Sequence, residues 1–71
     1  MTNQERALDS LVQSRSLMFA GDVARSTGMT PTQSSRALSQ LFKAGDATRA
    51  WMGNKWEYCA SPELLFATRA Q

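Results

Sequence analysis

The chain has 71 residues, a net charge of +2 and an apolar fraction of 42%. That length holds one domain with one small core, near the lower limit for independent folding, and leaves no room for a separate sensor or catalytic domain. The apolar fraction argues against disorder. No apolar run approaches the ~18 residues of a membrane span. The opening "MTNQERALDS" lacks a basic stretch followed by an apolar one, so no secretory signal is expected and the expected location is cytoplasmic. The single cysteine, Cys59, cannot form an internal disulfide, which is compatible with a reducing compartment. There is no histidine. A structural zinc site wants about four nitrogen or sulfur ligands, so none is expected. General acid–base work would fall to six scattered carboxylates with no obvious pair. The expectation is a protein that is not an enzyme and uses no cofactor or metal.

The charge is unevenly spread. From Val23 to Trp56 there are five basic residues (Arg25, Arg36, Lys43, Arg49, Lys55) against one acid, Asp46. The remainder carries Arg6, Arg15 and Arg69 against Glu5, Asp9, Asp22, Glu57 and Glu63. A basic middle with acidic flanks suits a nucleic-acid face on one side of a domain.

"TNQERALDSLVQSR" reads as a first helix. Thr2 and Glu5 have capping-box spacing. Leu8, Leu11 and Val12, with Ala7, form one apolar stripe, as a scaffold helix requires. Leu17, Met18 and Phe19 follow, a run too short to read by period: a brief edge strand or an extended linker that plugs the core. "GDVARSTG" is a short second helix with Val23, Ala24 and Thr27 inward and Gly28 as its stop. Met29 is an apolar anchor. Thr30 as N-cap, Pro31 at the first position and Gln33 closing a second capping box then start a third helix. It runs to about Ala44, with Ala37, Leu38 and Leu41 inward, Ser34 one turn earlier and Phe42 at the flank. Gly45 stops it. Its outer face is Thr32, Gln33, Ser35, Arg36, Ser39, Gln40 and Lys43.

"DATRAWMGNKWEYCAS" changes period. Gly53-Asn54 is a turn dipeptide between two aromatic-rich stretches. Centred there, Met52 faces Lys55, Trp51 faces Trp56 and Arg49 faces Tyr58. A lone hairpin is marginal, so one face must lie on the helices. Trp51, Trp56 and Tyr58 are expected to be the hydrophobic glue of that contact. "SPELLFATRAQ" opens with Ser61 as N-cap and Pro62 at the first position of a last short helix. Leu64, Leu65 and Phe66 are adjacent and cannot all face one core. They either contact a second copy or fold back onto the first helix. The division expected is one domain over residues 1–60 and a short C-terminal helix or tail over 61–71.

The expected fold class is mainly α with a small antiparallel β-hairpin. "VARSTGMTPTQSSRALSQLFKAGDATR" resembles the winged helix-turn-helix superfamily. The residues that carry the resemblance are Val23-Ala24, Thr27-Gly28, Met29, Thr30, Ser35-Arg36, Leu38, Leu41 and Gly45, with Arg49 where the first wing strand often carries a basic residue. Small stand-alone regulators of bacteria, plasmids and phages are similar in size. Two positions depart from the pattern. Ser34 stands where valine or isoleucine is usual, so the junction of the two helices is expected to be underpacked or to gain a hydrogen bond to nearby backbone. Asp46 replaces an apolar residue at the start of the wing and puts an acid near the presumed DNA side.

The resemblance implies a small transcription regulator that binds double-stranded DNA in a sequence-specific way, its third helix in the major groove. Thr32 and Ser35 are short enough for close approach. Gln33 has the groups to read adenine and Arg36 to read guanine. Ser39, Gln40 and Lys43 are expected on phosphate. Arg49 and Lys55 of the wing, and Arg25 of the second helix, are further candidates for backbone contact. So few charges suggest a homodimer or a cooperative assembly on DNA. The alternative is a protein-interaction module, such as a phage-encoded inhibitor or assembly factor, that does not bind DNA directly. A third option is single-strand or RNA binding through the tryptophans.

Overall fold

The first helix begins where Thr2 and Glu5 predict. Glu5 N–H donates to Thr2 Oγ1 (3.1 Å) and Thr2 N–H donates to Glu5 Oε1 (3.2 Å), so two donors that a helix start leaves free are satisfied reciprocally. The computed structural model describes residues 1 to 64. Helix α1 spans Asn3–Ser14 and ends at Arg15, in the left-handed region (φ 53°), whose N–H reaches Leu11 O. Strand β1 is Met18–Phe19, α2 is Ala20–Thr27, α3 is Pro31–Ala44, β2 is Ala47–Trp51 and β3 is Trp56–Ala60. Residues 62 to 64 are helical. Leu65 and Phe66 lie outside the described residues.

The short link between α2 and α3 is built from local bonds. Gly28 takes φ 79° and returns its N–H to Ala24 O. Thr27 Oγ1 donates to Val23 O (2.6 Å) and accepts from Met29 N–H (3.4 Å). Met29 is buried as an anchor. Thr30 and Gln33 form the second capping box, with Gln33 N–H on Thr30 Oγ1 (3.2 Å) and Thr30 N–H on Gln33 Oε1 (3.0 Å).

The wing is larger than a hairpin. Met18–Phe19 is an edge strand, and the three strands run in the order β1-β3-β2, all antiparallel. Trp51 faces Trp56 and Arg49 faces Tyr58, as the turn at Gly53-Asn54 predicts, and Tyr58 also faces Met18. Met52 N–H donates to Lys55 O across the turn (2.9 Å). Since side chains alternate along a strand, Ala47, Arg49, Trp51, Trp56, Tyr58, Ala60 and Met18 share one side of the sheet. Phe19, Thr48, Ala50, Glu57 and Cys59 share the other.

The core joins Ala7 and Leu11 of α1, Val23 of α2, Met29, Ala37, Leu38 and Leu41 of α3, and Ala47, Tyr58 and Ala60 of the sheet. Alanine at four of these ten places lets the elements approach closely, which a small domain needs to fill its interior without voids. Ser34, where either underpacking or a hydrogen bond to nearby backbone was expected, is fully buried, and its Oγ donates to Ala20 O at 2.8 Å. Ser10 is also buried, and its hydroxyl donates to Ser26 Oγ (3.1 Å), tying α1 to α2. The chain beyond β3 is tied to the body as well. Ser61 is buried, its N–H donates to Asp46 O (3.0 Å) and its hydroxyl, expected to cap the last helix, donates to Gly45 O (2.7 Å). The architecture is mainly α with a small antiparallel wing, a winged helix-turn-helix fold.

Candidate nucleic-acid interface

Helix α3 turns its small and apolar residues inward and leaves a polar face to solvent. Ser34, Ala37, Leu38 and Leu41 are buried. Thr32, Gln33, Ser35, Arg36, Gln40 and Lys43 are exposed, and Ser39 is half-buried. No carboxylate lies anywhere on the helix. By helical spacing, Thr32, Arg36, Ser39 and Lys43 form its outermost line. Gln33 and Gln40 fall on one flank, and Ser35 and Phe42 on the other.

The glutamine flank meets α1. Thr32, Gln33, Arg36 and Gln40 line a shallow depression whose far wall is Asn3. Asn3 has no motif to mark it. Its place beside Arg36 follows only from the way α1 crosses α3. Gln33 has a prior commitment, because its Oε1 closes the capping box. Its amide NH2 remains available, and the second lone pair of Oε1 can still accept a bond while the first holds the cap.

The other flank meets the wing. The guanidinium of Arg49 lies 4.1 Å from the ring centroid of Phe42 and 4.1 Å from that of Trp56. Both rings lie within cation–π distance of the guanidinium, whose N–H groups lie around its rim. Trp51 and Trp56 stack edge to face, centroids 5.1 Å apart at 65°. Of the three aromatic residues expected to glue the sheet to the helices, Tyr58 alone is buried, at 5% exposure. Trp56 is 36% and Trp51 55% exposed. The register explains this, since Tyr58 stands level with the helices and the tryptophans lie two residues further toward the turn.

The remaining cations are differently placed from a simple basic face. Lys55 is exposed, but its Nζ sits 3.9 Å over the Phe19 ring, so it lies along β1 and not beside α3. Arg25 forms an ion pair with Asp22 at the start of α2. Asp22 also accepts the N–H of Phe19 (3.2 Å), which occupies that helix start with a carboxylate. Arg36 and Lys43 carry no ion pair or ring contact among the described residues. Asp46, expected to weaken the basic face, lines a depression with Thr2, Gln4, Glu5, Leu8 and Leu41. It therefore sits by the positive end of α1, where a carboxylate is favoured. Among the described residues there is no cluster of groups able to hold a metal ion, and no helix is long and apolar enough to cross a membrane.

No protein-family model matches the chain, and no curated protein matches it. Two solved structures share its fold. One is a chain of HOP2, a protein described by its DNA recognition and protein interaction domains and its homologous DNA pairing. It superposes with a TM-score of 0.77 over 84% of this chain and 100% of the other, at 22% identity. The second is the ST1889 protein of the thermoacidophilic archaeon Sulfolobus tokodaii, with a TM-score of 0.81 over 99% of this chain and 70% of that one, at 18% identity. At these identities the likeness is one of fold, and the fold is the winged helix.

Proposed function

We propose that the protein binds double-stranded DNA in a sequence-specific way, as a small transcription regulator, with α3 in the major groove and the wing against the backbone. One observation carries the reading: α3 exposes six polar or basic side chains and no acid, on the helix that the winged-helix scaffold leaves uncovered. Arg36 has five donors in a planar fork and no internal partner to give up, which suits the O6 and N7 acceptors of guanine. Thr32 and Ser35 are short, so the helix can approach the base edges. Gln40 and Lys43, one and two turns beyond Arg36, fit phosphate, which positions without specifying. Arg49 offers the rim of its guanidinium from the wing, and Arg25 and Lys55 contribute after exchanging Asp22 and Phe19 for phosphate. HOP2 has a DNA recognition domain, and that is the role taken here for the shared fold.

Four or five phosphate contacts hold one copy weakly at physiological salt. The protein therefore acts as a homodimer or a cooperative array on DNA, in the cytoplasm, as a binding protein without catalytic activity. Selection of bound sequences from a random duplex library tests the reading. A defined motif is expected, and a palindrome would identify a symmetric dimer. Recovery of no duplex even at low salt rules the reading out.

A further inference from the structure

We propose that Trp51 and Trp56, together with the Arg49 guanidinium seated between Trp56 and Phe42, form a stacking site for unpaired nucleobases. Sheet packing does not need these rings, because Tyr58, Ala47 and Ala60 already seal the sheet to the helices. Trp51 is 55% exposed and the adjoining Met52 52%. An edge-to-face pair leaves an indole face open to solvent. Beside the rings lies the N–H rim of Arg49. The acid of β3, Glu57, alternates to the opposite side of the sheet. Open π-faces next to a cation are the combination that holds a single strand, since every base has a face to stack and a phosphate has a charge to meet. A paired base keeps its faces inside the duplex, so the site selects single strands, frayed ends or melted segments. The inference is independent of the α3 reading.

The test uses the 71-residue chain with a labelled oligodeoxythymidine and a blunt duplex of equal length, followed by anisotropy and by indole fluorescence. The single strand is expected to quench the indoles. Trp51→Ala weakens single-strand binding by about tenfold or more, Trp51→Phe retains most of it, and both leave duplex binding and the thermal melt unchanged. Three results would overturn the proposal: no quenching at low salt, equal losses on duplex and single strand, or quenching driven by protein concentration alone, as self-association would give. Normal duplex binding without single-strand binding removes this site and leaves the α3 reading standing.

Discussion

Arg49 of the wing rests 4.1 Å over the ring of Phe42 on α3, and this contact joins the hairpin to the exposed helix face. It is a surface contact, with Phe42 39% exposed, so its strength is modest. Phe42→Ala should cost about 0.5–1 kcal/mol in denaturant unfolding. Amide exchange should quicken in β2 and β3 more than in α1. Arg49→Lys should keep only part of the contact: an ammonium can sit over a ring, as that of Lys55 does over Phe19, but it lacks the planar guanidinium that stacks. Unchanged hairpin exchange in Phe42→Ala would show that the core strands alone fix the wing.

Ser34 makes the opposite kind of contact, deep and specific. Its hydroxyl donates to Ala20 O where α2 begins. Ser34→Ala should lose about 1 kcal/mol, the net value of one buried hydrogen bond. Ser34→Val, the residue type more usual at this place, should be worse. It puts a methyl within hydrogen-bond distance of a carbonyl oxygen, and a packed junction yields to that only by shifting. Urea unfolding of the two variants checks the order, and a stabilising Ser34→Val would mean the junction holds spare volume after all.

These two contacts also mark how far the sequence could be read. The main helix starts, stops and the turn were legible, though the Asp22 bond to Phe19 N–H that starts α2 was not. The Thr2–Glu5 and Thr30–Gln33 boxes, the stops at Gly28 and Gly45 and the Gly53-Asn54 turn act over three or four residues, and the Trp51–Trp56 pairing follows from the turn. The outer face of α3 was legible too, because helical period alone separates it from Ala37, Leu38 and Leu41. What could not be read depends on elements meeting from afar. A two-residue strand has no period, so an edge strand and a linker stayed equally open there, and the pairing of Met18 with Tyr58 could not be read. Nothing in "GNKWE" says that Lys55 turns to Phe19, or in "AGDA" that Asp46 lies by the start of α1. Asn3 entered the candidate site only through the crossing of two helices.

Acid should weaken the start of α1. The N–H of Thr2 and then its hydroxyl hold the Glu5 carboxyl below its usual range. A lowered folded pKa gives stability that is complete above the unfolded value and is lost as pH falls through the folded one. Glu5→Gln keeps the capping geometry but does not titrate. Melting temperatures measured from neutral pH into the acid range should therefore fall more steeply for the parent than for Glu5→Gln. Parallel curves would count against the cap as a source of acid sensitivity.

Ser61, the first residue after β3, ties the chain back to the body. Its hydroxyl and N–H bind Gly45 O and Asp46 O, at the corner where α3 passes into β2. Ser61→Ala should cost about 1 kcal/mol. A chain ending at Ala60 should lose more, because the backbone bond goes as well. Equal stability of the two shortened or altered forms, by thermal melting, would show that the hydroxyl carries the whole tie.

The α3 face can be separated into reading and positioning by three substitutions on one selected duplex. Arg36→Ala should weaken the chosen sequence by about 1–3 kcal/mol and relax a single base position. Lys43→Ala should weaken all sequences alike and flatten the salt dependence by about one unit, as the loss of one phosphate contact does. Gln33 needs more care, because its carbonyl also caps the helix and alanine would remove both functions. Gln33→Glu keeps an acceptor for Thr30 N–H and suits a capping box, yet deletes the amide donors and brings a negative charge toward the groove. Stability should hold while duplex binding falls. If Gln33→Glu binds the selected duplex as tightly as the parent, that end of α3 does not face the DNA, and the helix must enter the groove further along.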